Sequence, residues 1–277
     1  MKLTVIIANH NSCKSLRVAL TSLFKAAKDV VHEVMVVDNA SSDRSLQMLA
    51  FEFPQVRIIA NSKDEGISKA YNKAMRLARG EYIWLLNAES VSGKDTIGKL
   101  TDFMDEHPMA GGISVRMVDY KGDYLPESKH SLGKTWVTFL GFVGMSSYFP
   151  KSSSPIHKKP EWAEEFAGSE TDVLNPANML LRKSVLNETG LFDERFFKFG
   201  HNIDLSYRIR LKGYKNYYYS KTYIIQLQGQ FISKFSWDHI KHFYGAMFIF
   251  AAKYLFKRPV INVQDMGELF PSSYEIE

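Results

Sequence analysis

The sequence predicts a layered α/β protein, on two observations. Four short β-branched or aliphatic runs, Leu3 to Ala8, Glu33 to Val37, Val56 to Ala60 and Tyr82 to Leu86, recur through the first hundred residues. Runs of that kind are expected of strands buried on both faces of a parallel sheet. Helical periodicity fills the intervals between them, and four such alternations describe a Rossmann-like half.

Each element follows from its own residues. The first strand ends at the polar cluster Asn9-His10-Asn11-Ser12. After it, Leu16, Ala19, Leu20, Leu23 and Phe24 share one helical face, with Ser12 or Asn11 as the expected cap. Ile67, Ala70, Tyr71, Ala74 and Leu77 repeat the pattern for a second helix. From Tyr120 to Gly168 no period holds for long, and the segment reads as an irregular connection, either beside a cleft or on the surface. Helices are expected again near Arg182 to Glu188, from Asn202 to Leu211 and from about Ser236 to Phe256.

Composition narrows the classes of function. The 277 residues are 45% hydrophobic and 23% charged, which suits a folded core rather than a disordered chain. A net charge of +5 favours anionic partners such as nucleotide diphosphates or acidic lipid headgroups without selecting one. Cys13 is the single cysteine, so an intrachain disulfide and a cysteine zinc cluster are both excluded, as suits a reducing, cytoplasmic setting. Phe243 to Phe256 is apolar but 14 residues long and interrupted by Lys253. A span takes roughly 20 apolar residues, so a buried or interfacial helix is expected, which leaves room for a peripheral place at the membrane. Phosphate-loop, Gly-x-Gly-x-x-Gly, Gly-x-Ser-x-Gly and His-Glu-x-x-His motifs are missing, which argues against several nucleotide-dependent and hydrolytic chemistries. What remains is polar residues at the carboxyl ends of the predicted strands, where open α/β sheets bind ligands.

From Gly190 to Arg208 the chain reads Gly-Leu-Phe-Asp-Glu-Arg-Phe-Phe-Lys-Phe-Gly-His-Asn-Ile-Asp-Leu-Ser-Tyr-Arg. It resembles the acceptor-side signature of family 2 glycosyltransferases, in the rhamnosyltransferase-like branch. The resemblance runs from Leu3 to about Lys257 and implies a GT-A fold in one domain: a nucleotide-binding half over 1–115, an acceptor-side half over 116–235, and a C-terminal helix and tail over 236–277. It also implies inverting transfer of a sugar from a nucleotide-sugar donor to an acceptor hydroxyl. The acceptor class stays open between a saccharide and a lipid-linked saccharide, and no nucleic-acid partner is expected.

At the donor end, Val37-Asp38-Asn39-Ala40-Ser41-Ser42-Asp43 resembles the family's nucleotide-binding turn, with Asn9 and His10 on the neighbouring strand end. A carboxylate at Asp38 is suited to accept from the ring N–H of uracil or thymine, and His10 to stack on a base. A turn or capping residue is the plainer reading of Asp38, and an ordinary loop histidine that of His10. Asp43 is expected to cap a helix. Asn61 to Asn72 resembles the family's phosphate-side stretch, in which Gly66 permits close backbone approach and Lys69 reaches a phosphate. The other reading of Lys69 is a solvent-facing helix lysine.

Departures from the family pattern concentrate at the chemistry. Asn87-Ala88-Glu89 stands where the family carries an Asp-x-Asp or Asn-x-Asp motif for Mg²⁺ or Mn²⁺, so Glu89 presents its carboxylate on a longer arm. Gln226 stands at a metal-binding histidine and Gln230 at a glutamate. The family's two adjacent carboxylates, the second of them the general base, are His201 and Asn202 here. An amide is not basic, whereas an unperturbed histidine titrates near 6.5, so His201 is the substitute base to consider. Adjacent helical positions point roughly 100° apart, so that substitution requires a shifted backbone. Two readings follow: an impaired glycosyltransferase, or an inactive relative serving as a homo-oligomer or as the partner of an active enzyme. A basic membrane-surface or nucleic-acid binder built on Tyr214 to Tyr223 and Lys151 to Lys159 ranks third, since those aromatics fit an edge strand equally well.

Overall fold

The computed structural model describes residues 1–30, 32–129, 132–153, 168–227 and 237–255. The first half is built as its hydrophobic runs dictate. Strands β1 (Leu3–Asn9), β2 (His32–Asn39), β3 (Arg57–Asn61) and β4 (Tyr82–Asn87) lie parallel in the order β3-β2-β1-β4. Between them run α1 (Cys13–Ala26), α2 (Ser45–Glu52) and α3 (Ile67–Met75). Because the strands are parallel, all four carboxyl ends open on one edge, with Asn9 opposite Asp38 and Ala8 opposite Asn87.

The start of α1 differs from expectation. Neither Ser12 nor Asn11 caps it. The Cys13 N–H donates to Asp43 Oδ2 at 2.9 Å, so the cap comes from the loop after β2. Asn11 adopts a left-handed backbone, φ 53°, and its carboxamide oxygen accepts from the Ser42 N–H at 2.7 Å. The two loops are thereby tied across the strand ends.

The chain then continues through β5 (Ser90–Ser92), α4 (Thr96–Glu106), β6 (Ala110–Val118), α5 (Lys134–Phe142), α6 (Pro150–Ser153), β7 (Ser169–Thr171), β8 (Asn178–Arg182), α7 (Lys183–Thr189), α8 (His201–Leu211), β9 (Lys215–Gln226) and α9 (Trp237–Leu255). β8 joins β4 antiparallel, and the sheet extends as β3-β2-β1-β4-β8-β6-β9-β5, with β7 also on β9. β9 is therefore not the edge strand that its aromatics allowed. β6 pairs along one side of it, and β5 and β7 divide the other.

Apolar residues fill both faces of the sheet, one around Leu16, Leu20, Trp84 and Leu100, the other around Tyr71, Leu85, Val185 and Leu205. A third cluster joins α5, α8 and α9 through Trp136, Ile203, Met247 and Phe250. The expected packing of α9 holds: Met247 and Phe250 are buried, and Phe243 and Tyr254 are partly buried against that cluster. No described helix is long and apolar enough to cross a membrane.

Candidate functional site

At the β1 and β2 ends, Asp38 is fully buried and already well bonded. Asn9 Nδ2 donates to its Oδ1 at 2.8 Å, Ser41 Oγ to the same oxygen at 2.6 Å, and the Ser41 N–H to Oδ2 at 2.9 Å. Asn9 Oδ1 is buried beside this group without a partner. His10 is exposed, and its Nδ1 lies 2.7 Å from the Asn39 carbonyl. A carbonyl only accepts, so Nδ1 carries the proton and Nε2 is left as an acceptor, 3.3 Å from Asn11 Nδ2. Asp43 takes the capping role expected of it, and the N–H groups of Cys13 and Ser45 help to lower its pKa.

The close approach at Gly66 is made by protein. Gly66 has φ +81°, and a Cβ there would sit 2.5 Å from Phe197 Cδ2 and 2.8 Å from the Phe197 carbonyl. The first N–H of α3, on Ile67, donates to that carbonyl at 2.8 Å, and Ser68 Oγ donates to the Phe196 carbonyl. The first N–H of α3 and the Ser68 hydroxyl thus hold the 192–197 segment. Asn72 adds two bonds to Phe192, donating to its carbonyl at 2.8 Å and accepting from its N–H at 3.0 Å. Lys69 is half-exposed and lies 3.7 Å from Glu65, which also pairs with Lys73.

Glu89 and Gln226, distant in sequence, come together. β5 pairs with β9 in a register that sets Ser90 opposite Gln226. The Leu227 N–H donates to the Glu89 carbonyl at 2.9 Å. Burial pushes the Glu89 carboxyl pKa up, and a hydrogen bond from Gln226 partly opposes it. One carboxylate oxygen, Oε2, is buried with no partner. Gln226 Oε1 is engaged, accepting from Ser90 Oγ at 2.9 Å. The amide therefore turns its donor side, not its oxygen, towards Glu89. Among the described residues no group of three or more His, Cys, Asp or Glu side chains is placed to hold a metal. Mg²⁺ and Mn²⁺ select several hard, anionic oxygens; Glu89 offers one carboxylate, and the Gln226 oxygen is committed to Ser90. Gln230 lies outside the described residues.

At the acceptor end, Gly200 (φ +85°) turns the chain into α8, and a Cβ there would meet Phe196 at 2.9 Å and Ala246 at 3.1 Å. His201 and Asn202 follow, both buried. Asn202 Nδ2 donates to the Leu174 carbonyl at 2.9 Å. The His201 ring meets Phe192 edge-on, with centroids 5.0 Å apart, and neither ring nitrogen has a partner. Burial pushes its pKa down to about 4, against an opposing pull from Asp204. His201 is thus a neutral interior ring, and Asn202 a tether.

The rest of the Asp-Leu-Ser-Tyr-Arg stretch is structural in a way the sequence reading did not assign. Asp204 is fully buried and accepts from Lys253 Nζ at 2.6 Å, Tyr254 OH at 2.7 Å and Arg208 Nε at 2.9 Å. Arg208 continues to the carbonyls of Thr189, Gly190 and Leu191. Lys253 also pairs with Asp193 at 3.1 Å, and Arg195 beside Asp193 holds that carboxyl far below the usual range. Lys253 inside the apolar run of α9, and Asp204 four residues before Arg208, were the available signal.

A sequence model described as glycosyl transferase family 2 matches residues 4–159, more than half of the chain. The chain belongs to that family. It is 23% identical to an N-acetylglucosaminyl-diphospho-decaprenol L-rhamnosyltransferase of Mycobacterium tuberculosis, over 90% of this chain and 84% of the relative. Staphylococcus aureus TarS 1–349 in complex with UDP-GlcNAc superposes with a TM-score of 0.61 at 21% identity, covering 92% of this chain and 67% of that one. The chain spans 40% of a longer TarS chain. A Pyrobaculum calidifontis mannosyltransferase in complex with GDP-Man and Mn²⁺ gives a TM-score of 0.57 at 17% identity, covering 83% and 58%. The fold is the GT-A glycosyltransferase fold, as the sequence predicted.

Proposed function

We propose that the chain is a nucleotide-sugar-binding family 2 glycosyltransferase whose inverting transfer is impaired. The donor site in this reading lies along the β1, β2 and β4 ends. Asn9 and Asp38 meet the base there, His10 stacks on it, and Lys69 meets the diphosphate. The observation that carries the impairment is the state of α8's first two residues. A base must sit within hydrogen-bond reach of the acceptor hydroxyl. Asn202 has no basic atom, and His201 is buried with its affinity for a proton reduced.

The Glu89 and Gln226 geometry supports weak or absent dependence on Mg²⁺ or Mn²⁺. The continuous sheet among the described residues supports a single domain, and the lone Cys13 is in keeping with the cytoplasm. The rhamnosyltransferase relative, whose name specifies a decaprenol-linked saccharide, supports a lipid-linked saccharide acceptor over a free one. A buried His201 beside a tethered Asn202 is also what a partner protein that retains the fold without turnover would have. Calorimetry with UDP, GDP and dTDP, combined with a nucleotide-release assay on their sugars, tests both readings. Binding with little turnover supports the proposal. No binding of any nucleotide, or brisk turnover, contradicts it.

A further inference from the structure

Helix α9 buries one face and leaves the opposite one bare. Ala246, Met247 and Phe250 face the interior, whereas Trp237 is 85% exposed, Tyr244 55%, Phe248 73% and Leu255 43%. At 100° per residue these four exposed side chains fall within about 40° of one another. Ile240 and Lys241, both exposed, flank them. Nineteen residues make the stripe about 28 Å long. An apolar patch of this kind is often functional.

We propose that this stripe seats the protein on an anionic membrane surface, with α9 lying in the plane of the headgroups. Composition favours lipid: Trp and Tyr place an apolar ring and a polar edge at the bilayer boundary, with Phe248 and Leu255 reaching deeper. Charge favours an anionic leaflet. Lys241 flanks this arc of α9, Asp238 about 100° round the helix from Trp237 is paired with Lys198 and His242, and the sequence continues from the helix as Phe256-Lys257-Arg258 on a chain of net charge +5. Area disfavours a second copy, because one helix face about 28 Å by 10 Å offers on the order of 300 Å². A stable dimer needs roughly 800 Å² per partner.

The inner face of α9 connects this surface to the site. His242 stacks on Phe197 with centroids 4.7 Å apart, and Ala246 abuts Gly200, the residue before His201. A bilayer under α9 therefore brings membrane-held acceptors near the amino end of α8. That consequence rests on the transferase reading, whereas membrane binding does not.

Co-sedimentation of the full chain with phosphatidylcholine vesicles, with and without phosphatidylglycerol, tests the proposal. The wild type should sediment with the anionic vesicles, release as salt rises, and show a blue shift in tryptophan emission that Trp237→Ser removes. Tyr244→Ser with Phe248→Ser should weaken vesicle binding by about tenfold or more, and Lys241→Glu should weaken it for anionic vesicles. Circular dichroism and nucleotide calorimetry without vesicles establish that the variants are folded, and report separately on the donor reading. Failure of the folded wild type to bind would overturn the proposal. So would undiminished binding by the double variant, or a concentration-dependent dimer that the same substitutions abolish.

Discussion

The side chain of Asn202 donates to the main-chain carbonyl of Leu174 at 2.9 Å. That bond ties the first turn of α8 to the segment before β8, and the neighbouring Leu174 N–H reinforces it by donating to Ser206 Oγ at 3.0 Å. A carboxylate at 202 would face the same carbonyl and be repelled by it. The amide thus fastens α8 at the position that the family resemblance assigns to a base.

Nucleotide diphosphate binding should depend little on divalent ions. Gln226 engages its oxygen with Ser90 and donates towards Glu89, so adding Mn²⁺ or stripping it with EDTA should change the calorimetric Kd of UDP or GDP by less than about tenfold, or roughly 1.4 kcal/mol. A larger tightening by Mn²⁺ would show that the pair rearranges into a metal site.

The Asp204 network should matter far more than surface ion pairs. Asp204→Asn removes the charge that Arg208, Lys253 and Tyr254 converge on, and should cost about 3 kcal/mol in urea unfolding. Glu52→Gln breaks the exposed pair with Arg17 and should cost less than about 1 kcal/mol. Equal losses would mean that the buried network holds α9 no better than a surface contact.

Gly66→Ala should destabilise by more than about 1 kcal/mol, because it strains a positive φ and drives a methyl group into Phe197. Thermal unfolding reads this directly. An unchanged Tm would mean that the 192–197 segment yields readily.

Stability should fall on acidification through His201. Its pKa in the folded protein is about 4 against an ordinary 6.5, so the unfolded chain binds the extra proton between those values. Stability contributed by the neutral ring is present above about pH 6.5 and declines towards pH 4, by on the order of 3 kcal/mol in full. His201→Leu should flatten that part of a urea-unfolding pH profile. An equal slope in both proteins would place the titration elsewhere.

The sequence made the parallel half legible because each strand is a short aliphatic run and each of α1 and α3 keeps its apolar residues on one face. α2 falls in an interval where a helix is expected, but its buried face is not legible, since Leu46 and Phe51 are apolar yet exposed and blur the period. The cap of α1 was misread because Asp43 arrives from 30 residues away, a contact that no local pattern encodes. Family resemblance brought Glu89 and Gln226 into view, but their contact depends on the β5–β9 register. That Gly66 faces Phe197, and that His201 points into apolar packing, are likewise tertiary facts.

Release of nucleoside diphosphate from UDP-, GDP- and dTDP-sugars by the wild type, by Asn202→Asp with Gln226→His, and by His201→Ala tests the central claim most directly. The wild type and His201→Ala should remain near background. The double variant regains a proton acceptor and an imidazole beside Glu89, and should rise by about 10²-fold or more, the lower end of what general-base catalysis supplies. Brisk turnover by the wild type, whether or not His201→Ala abolishes it, would contradict the account.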